Sequence, residues 1–269
     1  MTGFTAEWLA LREPYDKAAR NSVVIEAMRK AFHGQSAISV VDLACGAGAT
    51  LRAIGEFLPP RQNWRQVDND LGLLAKAAAL GRPPLVVVAA RTLDLSRDLE
   101  LALDGPLDLV TATALLDLVS ADWLELLAVE AAARRLPVYA AVTYDGHVTL
   151  EPGEPHDAEL VEALNRHQRG NKGFGEALGP EAAAYAVDRF ERIGYSMVQG
   201  QSDWVLGPDD RTMQNEVISG FAHAAQELNE LPEQRVTQWL AHRRDLIAAG
   251  QSSLRVGHLD FFALPMPIR

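Results

Sequence analysis

The residues best placed to do chemistry surround a pair of glycines. Asp42 begins the run Asp-Leu-Ala-Cys-Gly-Ala-Gly, in which the glycines are Gly46 and Gly48, directly after an apolar stretch. Glycines at such a turn let the backbone approach a ligand closely, and the N–H groups of a following helix favour polar ligands. Asp68 lies 20 residues after Gly48, the distance at which a carboxylate can accept hydrogen bonds from ribose hydroxyls. The spacing therefore predicts a site for a nucleotide-type ligand.

Further positions distinguish between the cofactors that such a site can hold. A dinucleotide-binding loop carries a small residue three positions after its second glycine, whereas this chain has Leu51 there. Asp42 would repel a pyrophosphate and attract a cation. Asp94, after the third apolar run, is suited to accept a hydrogen bond from the amino group of adenine. The sequence favours a cationic adenosine cofactor, and a nicotinamide-dependent reductase stays a minor alternative.

This combination resembles the class I S-adenosylmethionine-dependent methyltransferases, in which Asp-x-x-x-Gly-x-Gly after the first strand is the leading motif. The resemblance covers residues 37–206 and the final strand. It implies S-adenosyl-L-methionine as the cofactor, with Asp42 organising the loop and the amino group, Arg20 reaching the carboxylate and Asp68 holding the ribose. The residues that it implies around the cofactor are Arg20, Asp42, Ala44, Gly46, Gly48, Asp68, Asn69, Asp94, Leu95, Ala112 and Thr113.

Residues after the fourth and fifth strands are the candidates for contact with a methyl acceptor. Asp117 stands where related small-molecule enzymes place a substrate-facing residue, so it either orients an amine and takes its proton or merely caps a helix. Tyr144 is the second catalytic candidate, and His147 follows it at the ligand end of the sheet. The catalytic assignment stays open, because methyl transfer to a good nucleophile needs alignment and exclusion of water but no base.

The N-terminal segment is a candidate lid. In similar methyltransferases such segments fold over the cofactor, where Trp8 and Tyr15 would wall the substrate. The alternative is plain helix packing for both aromatic residues, with Arg12 and Asp16 as an ordinary surface pair one helical turn apart.

A second candidate lid is the basic stretch 165–175, which is bounded by glycines in an otherwise acidic chain. Its cations would meet an anionic group of the substrate. A helix C-terminus followed by a solvated loop explains the same pattern. The residues concerned are His167, Arg169 and Lys172.

The elements that must position these groups follow from the apolar pattern. Near-continuous apolar strands alternate with helices, which favours a parallel sheet covered on both faces. The strands are predicted at 38–43, 64–67, 85–89, 107–112, 138–143, 195–206 and 254–264. Residues 8–32 predict helical segments, with Pro14 starting the second one. By the family resemblance this is a Rossmann-like α/β fold: a seven-stranded, mostly parallel sheet, an antiparallel C-terminal strand hairpin and helical insertions.

We expect a single methyltransferase domain over residues 1–269. Its parts are an N-terminal helical lid (1–36), a cofactor-binding core (37–145), an insertion or lid (146–179), the C-terminal part of the sheet (180–206 and 251–269) and a helical insertion (207–250). The apolar stripe of the last insertion predicts either core packing or the surface of a homodimer.

Composition excludes several classes of function. The 36 acidic and 25 basic residues give a formal charge of -11, which disfavours nucleic acid as a partner. No apolar stretch reaches the ~20 residues that span a bilayer, and residues 1–30 lack the apolar core of a signal peptide. The single cysteine, Cys45, suits a reducing compartment, and the seven histidines form no metal motif. We expect a cytoplasmic protein without a membrane partner or a resident metal.

The predicted function is in-line methyl transfer to a small-molecule acceptor. Residues 111–117 lack the Asn-Pro-Pro-Tyr-like signature that the family's enzymes for nucleic acid bases and protein amides tend to carry. Two alternatives stay open: an enzyme that modifies a protein or RNA, and a non-catalytic S-adenosylmethionine-binding protein.

Overall fold

A single sheet of eight strands organises the computed structural model, which describes residues 4–79 and 83–267. The strands are β1 (Ala37–Leu43), β2 (Arg61–Asp68), β3 (Val86–Thr92), β4 (Leu109–Thr113), β5 (Val138–Glu151), β6 (Tyr195–Gln201), β7 (Trp204–Leu206) and β8 (Ser253–Pro265). Their spatial order is β3-β2-β1-β4-β5-β8-β6, and β7 also pairs with β8. The first five strands are parallel, whereas β8 is antiparallel to β5, β6 and β7.

Helices cover both faces of the sheet because its strands bury side chains on alternating sides. The helices are α1 (Ala6–Ala19), α2 (Ser22–Ala31), α3 (Ala49–Ile54), α4 (Leu71–Ala79), α5 (Leu99–Ala102), α6 (Ala121–Arg134), α7 (Asp157–Gln168), α8 (Ala182–Arg192), α9 (Arg211–Leu228) and α10 (Glu233–Ala248). Val40 of β1 packs in a core with α2, α3, α7, α9 and α10. Its neighbour Val41 packs in a second core with α5, α6 and α8.

The segment predicted as one strand at 195–206 is interrupted at Ser202 and Asp203, which raises the strand number from the predicted seven to eight. The register on β8 is unchanged across the break, since Gln201 pairs with Leu259 and Trp204 pairs with Val256. At the break, a side chain takes the place of a backbone carbonyl as the hydrogen-bond acceptor, because the carboxylate of Asp203 accepts the N–H of His258 at 3.2 Å.

The fifth strand is longer than predicted and continues from residue 143 to Glu151. Tyr144 and His147 therefore belong to a strand and not to a loop that leaves the sheet. The length comes from pairing with β8, with register shifts between Ala140 and Thr143 and between Tyr144 and Val148. Such pairing is a long-range property that a local pattern does not contain.

The prediction that Pro14 starts a second helix is wrong. Pro14 lies inside α1, and the break between the two N-terminal helices falls at Arg20 and Asn21. The Asn21 side chain accepts the N–H groups of Val23 and Val24 and so caps α2. A proline inside a helix costs about 3 kcal/mol. Contacts of α1 with the rest of the chain, on both sides of Pro14, offset this cost.

The apolar stripe of the 207–250 insertion packs into the core of the same chain. Phe221, Val236 and Ile247 are buried there, and Leu228, Leu231 and Leu240 pack against them. The core alternative of the prediction is thus confirmed for these side chains. Homodimerisation through the insertion stays a prediction, which would need other side chains.

Candidate active site at the carboxyl ends of the strands

The glycine loop between β1 and α3 is shaped by residues in the left-handed backbone region. Gly48 has φ 78°, and a Cβ atom there would lie 2.7 Å from Gln66 Nε2 and 3.2 Å from the Cβ of Ala77. Both conformation and close packing therefore require glycine at this position. Ala44 has φ 50°, so a residue with a side chain occupies a conformation that favours glycine.

Asp68, at the end of β2, ties the second strand to the glycine loop. Its carboxylate accepts the N–H of Gly46 at 2.8 Å and the N–H of Asp70 at 2.9 Å. It is buried, with 9% of its surface exposed. The structure therefore brings the carboxylate of Asp68 to the glycine loop, and its contact with a ribose stays a prediction.

Asp42 is a buried carboxyl on the strand that leads into the loop. It is fully buried and accepts the hydroxyl of Thr111 at 2.8 Å, while its Oδ2 has no hydrogen-bond partner among the described residues. Burial raises the pKa of Asp42 to about 7, against the opposing effects of the Thr111 hydroxyl and the Arg20 charge. A cation placed near Oδ2 would favour the ionised form.

Arg20 supplies a buried cation on the same face of the sheet. Lying just after α1, it donates from Nη2 to Thr113 Oγ1 and from Nη1 to the Tyr139 hydroxyl, both at 3.2 Å. Thr50 donates to the same Thr113 oxygen at 3.1 Å. Within the described part of the chain, the Nε of Arg20 has no partner. Asp42 and Arg20 thus place a titratable carboxyl group and a cation beside the glycine loop.

The residues predicted around adenine are less closely associated. Asp94 is exposed and accepts hydrogen bonds from the hydroxyl of Ser96 at 2.6 Å and from its backbone N–H at 3.0 Å. Both bonds lower the pKa of Asp94, and the hydroxyl has the larger effect. Asn69 is exposed, whereas Leu95 is buried and its carbonyl accepts the indole N–H of Trp123. Ala112 is fully buried in β4. These side chains mark an edge of the site that is open to solvent near Asn69 and Asp94.

The helix α1 lies over the glycine loop. A Cβ atom on Gly46 would lie 3.2 Å from a methyl carbon of Leu9. Glu13 forms a bidentate ion pair with Arg52 of α3, at 2.5 and 2.7 Å, and Arg52 also donates to the carbonyl of Ala47 at 2.9 Å. The helix therefore has the position of a lid that contacts both the loop and α3.

A buried polar and aromatic cluster lies under the same helix. Arg12 and Asp16 form an ion pair at 2.8 Å, with side chains only 10% and 9% exposed, so the expectation of a surface pair is wrong. The reason is Trp204 of β7, whose indole N–H donates to Asp16 at 2.9 Å and whose ring lies 5.0 Å from the Arg12 guanidinium. Trp8 packs edge-on against Trp204 at 6.1 Å.

Tyr144 and His258 extend this cluster across the sheet. They are paired residues of β5 and β8, with ring centroids 6.1 Å apart, and the His258 ring lies 4.7 Å from that of Trp204. The Tyr144 hydroxyl donates to Asn165 Oδ1 at 2.7 Å. Burial, aided by the charge of Arg12, lowers the pKa of His258 to about 3. The imidazole is therefore neutral, and its Nδ1 has no partner among the residues that the structure describes.

Asp117 lies in a short turn after β4 and is 7% exposed. Its Oδ1 has no partner within the described ranges. Burial raises the pKa of Asp117 to about 6, opposed by backbone N–H groups, including that of Tyr144, and by the charges of Arg12 and Lys172. A buried carboxyl that titrates near neutrality can take or hold a proton.

Several predicted substrate residues have other partners. The Tyr15 hydroxyl donates to Asp210 at 2.8 Å, and Arg169 pairs with Glu181 on the surface. His147 is 87% exposed beside Asp145. His167 contacts Glu227 at 2.6 Å, and Lys172 approaches its Nδ1 at 3.2 Å. Of the basic stretch, Lys172 is the member whose charge acts on Asp117.

Sequence reasoning missed four residues of this region. Tyr139, Trp204 and His258 occupy ordinary strand positions, and Arg52 is a polar residue on a short helix. No motif marks them, because their roles come from neighbours that are distant in the sequence. Alternation along the last strand signals only that His258 could face inward.

A cleft of about 480 Å³ opens beside the loop between α3 and α4. Its lining is mainly apolar and includes Leu51, Leu58 and Ala77, but none of the three acids Asp42, Asp68 and Asp94. It adjoins the candidate site without coinciding with it. Among the described residues, no helix combines the length and apolarity of a membrane span, and no three or more His, Cys, Asp or Glu side chains are grouped as metal ligands would be.

Solved structures with a similar fold include the YcgJ protein from Bacillus subtilis, which is 14% identical with a TM-score of 0.50 over 91% of this chain and 99% of its own. The cyclopropane synthase MmaA2 from Mycobacterium tuberculosis is 11% identical, with a TM-score of 0.48 over 96% and 94% of the two chains. A cyclopropane-fatty-acyl-phospholipid synthase-like protein from Lactobacillus casei is 14% identical, with a TM-score of 0.49 over 96% and 94%. No family model and no curated protein matches the chain.

Identities this low bear on the fold alone. The strand order, the parallel first five strands and the antiparallel hairpin of β6 and β8 confirm the predicted Rossmann-like, mostly parallel α/β fold.

Proposed function

We propose that this chain is a single-domain S-adenosylmethionine-dependent methyltransferase that acts on a small-molecule acceptor. The observation that carries the proposal is the pair of unsatisfied buried groups beside the glycine loop, Oδ2 of Asp42 and Nε of Arg20. The amino-acid part of S-adenosylmethionine bears an ammonium, a sulfonium and a carboxylate, so it needs one group of each sign. Asp68 would hold the ribose and Asp94 the adenine amine.

When bound, this cofactor supplies a methyl group on a positively charged sulfur. The chain's own task is to align the acceptor and to exclude water. The α1 lid, contacting the glycine loop through Leu9 and α3 through Glu13, would close the site on one side. Arg20 and Asp42 would orient the amino-acid part of the cofactor from the side of the sheet.

We place the acceptor near Asp117. The free Oδ1 of this carboxyl would accept a hydrogen bond from an amine or hydroxyl of the acceptor and take its proton as the methyl group is transferred. The charged or titratable groups around it are Arg12 from α1, Lys172 from the segment after α7 and Tyr144 from β5. Helix α1 covers this region, with its Trp8 packed against Trp204 of β7, and a covered site favours a small acceptor over a polypeptide or RNA.

The test is calorimetric titration with S-adenosylmethionine and with its demethylated product, S-adenosylhomocysteine. Asp42→Asn and Asp68→Asn should each weaken binding by about tenfold or more, the loss expected when a hydrogen bond to a charged group is removed. Asp108→Asn is the matched control, because Asp108 also accepts a backbone N–H, from Ser39 at 2.8 Å, but near the amino end of β1. Its binding should be unchanged.

Each alternative predicts a different result. Absence of binding by the folded wild-type protein would contradict the proposal, and binding of NADH would favour the reductase. Full affinity in Asp68→Asn would exclude Asp68 from the site. Tight binding without methyl transfer to any amine or hydroxyl compound would favour a non-catalytic binding protein.

A further inference from the structure

A buried carboxylate on β8 joins two parts of the candidate site. Asp260 is fully buried, and the charge of Arg20 acts on it, although no ion pair within 4.0 Å joins Asp260 to a cation among the described residues. Its Oδ1 accepts the N–H of Val142 at 2.8 Å, and its Oδ2 accepts the N–H of Asn21 at 2.9 Å. These two amides belong to different elements, the fifth strand and the junction between α1 and α2.

The first contact stabilises an irregularity of β5. Ala140 pairs with Phe261 and Thr143 with Leu259, so Ala141 and Val142 lie opposite the single residue Asp260. This is a β-bulge, which bends a strand and redirects the side chains after it. Val142 has φ 53°, a conformation that is strongly disfavoured for a β-branched residue. The charge-assisted hydrogen bond from its N–H to Asp260 compensates for that strain.

The bulge determines where the end of β5 points. Two residues after Val142, Tyr144 pairs with His258 and reaches Asn165 with its hydroxyl. The backbone N–H of Tyr144 also acts on Asp117. The bulge therefore determines the position of Tyr144 beside Asp117, on the acceptor side of the candidate site.

The second contact fixes the cofactor side. Asn21 begins α2 and directly follows Arg20, so a held Asn21 amide limits the positions that the Arg20 backbone can take. Arg20 in turn donates to Tyr139, which lies on β5 three residues before Val142. The two hydrogen bonds of Asp260 thus act on the positions of Tyr144 and Arg20, which we place in the candidate site.

We propose that Asp260 is a positioning residue that couples the bulge of β5 to the α1–α2 junction, and so places Tyr144 and Arg20 together. The coupling itself is argued from the two hydrogen bonds of Asp260, whereas its consequence for ligand binding rests on the proposed function. Asp260 would touch neither cofactor nor acceptor.

The test compares Asp260→Asn with Asp157→Asn. Asp157 is the control because it is a partly buried carboxylate that also joins two elements: it lies on α7 and accepts from Trp239 and Arg243 of α10, within the helical insertions. Asp260→Asn replaces one acceptor by a donor, so one of the two amides loses its partner. Unfolding in urea, affinity for S-adenosylhomocysteine and hydrogen exchange are measured for both variants.

We expect Asp260→Asn to weaken S-adenosylhomocysteine binding about tenfold and to speed amide exchange both at Asn21 and at residues 142–144. Asp157→Asn should lower stability but change affinity by less than about twofold. If Asp260 acts through Arg20, the double variant Arg20→Ala with Asp260→Asn should bind no more weakly than Arg20→Ala alone. In the wild-type protein, S-adenosylhomocysteine should slow exchange at residues 142–144 as well as at Asn21.

Exchange that changes at only one of the two places would overturn the coupling. Equal stability loss in the two variants with unaltered affinity would reduce Asp260 to a structural residue, as would additive effects in the double variant. If the wild-type protein binds no S-adenosylhomocysteine, the proposed function fails, and exchange in Asp260→Asn still decides the coupling. Should that variant not fold, Asp260→Glu, which keeps the charge but displaces the oxygens, is measured in its place, with the same loss of protection expected.

Discussion

At the scale of single residues, Asp42 depends most on its surroundings. Its position before the glycine loop is a feature of the sequence, but its protonation is set by complete burial and by Thr111 on the neighbouring strand. A pKa of about 7 in the folded chain lies above the ordinary value of 3.8. The folded state therefore keeps a proton that the unfolded state releases as the pH rises between these two values.

This shift predicts a pH dependence of stability. The contribution of Asp42 is most favourable below pH 3.8, is lost as the pH rises to about 7, and is constant above that. Asp42→Asn should remove it, so the variant should gain stability relative to wild type between pH 4.5 and 8, by about 3 kcal/mol at ~1.4 kcal/mol per pKa unit. Urea unfolding at both pH values measures the gain.

A control comes from the strand next to Asp42. Thr111→Val removes the hydroxyl that stabilises the carboxylate, so it should move the loss of stability to higher pH. Because burial also raises the pKa values of Asp117 and Asp260, only the difference between variant and wild type is informative. A difference that does not change with pH would contradict the assignment to Asp42.

At the scale of elements, α1 is held in two ways: a buried cluster joins Arg12 and Asp16 to Trp204 of β7, and a partly exposed ion pair joins α1 to α3. Its pair with α3, Glu13 with Arg52, has side chains about one-third exposed, at 29% and 30%. A pair of this exposure contributes roughly 0.2–1 kcal/mol, much less than a core contact. The contact with α3 can therefore open and close over a ligand while the buried cluster keeps α1 on the sheet.

The lid role predicts an effect on ligand release. Glu13→Gln should speed dissociation of S-adenosylhomocysteine by roughly two- to fivefold, in line with the small energy of such a pair, and leave stability nearly unchanged. Stopped-flow fluorescence measures the rate. Glu125→Gln is the control, since Glu125 pairs with Arg189 at 2.5 Å between α6 and α8, away from the loop. Equal rates in all three proteins would argue against a lid.

At the scale of the whole molecule, the net charge of the chain and the covering of the candidate site by α1 favour a small-molecule acceptor. The formal charge of -11 disfavours RNA, and the buried cluster near Asp117 lies under α1. When the purified protein is incubated with cell extract and methyl-labelled S-adenosylmethionine, we expect label in the ultrafiltrate of small molecules. Asp68→Asn supplies the background. Label retained with protein or RNA would instead support a macromolecular acceptor.

The sequence by itself determined the succession of strands and helices, the glycine loop, the acids near the ends of β1 and β2 and the acid after β3, because all of these follow from local spacing and apolar periodicity. It did not determine the helical break at Arg20 in place of Pro14, the burial of the Arg12–Asp16 pair or the length of β5. Those features were decided by Trp204, Asp260 and β8, which are distant in the chain and adjacent in the sheet. Burial and long-range pairing set the protonation of Asp42 and the place of Tyr144, and neither property exists before the strands meet.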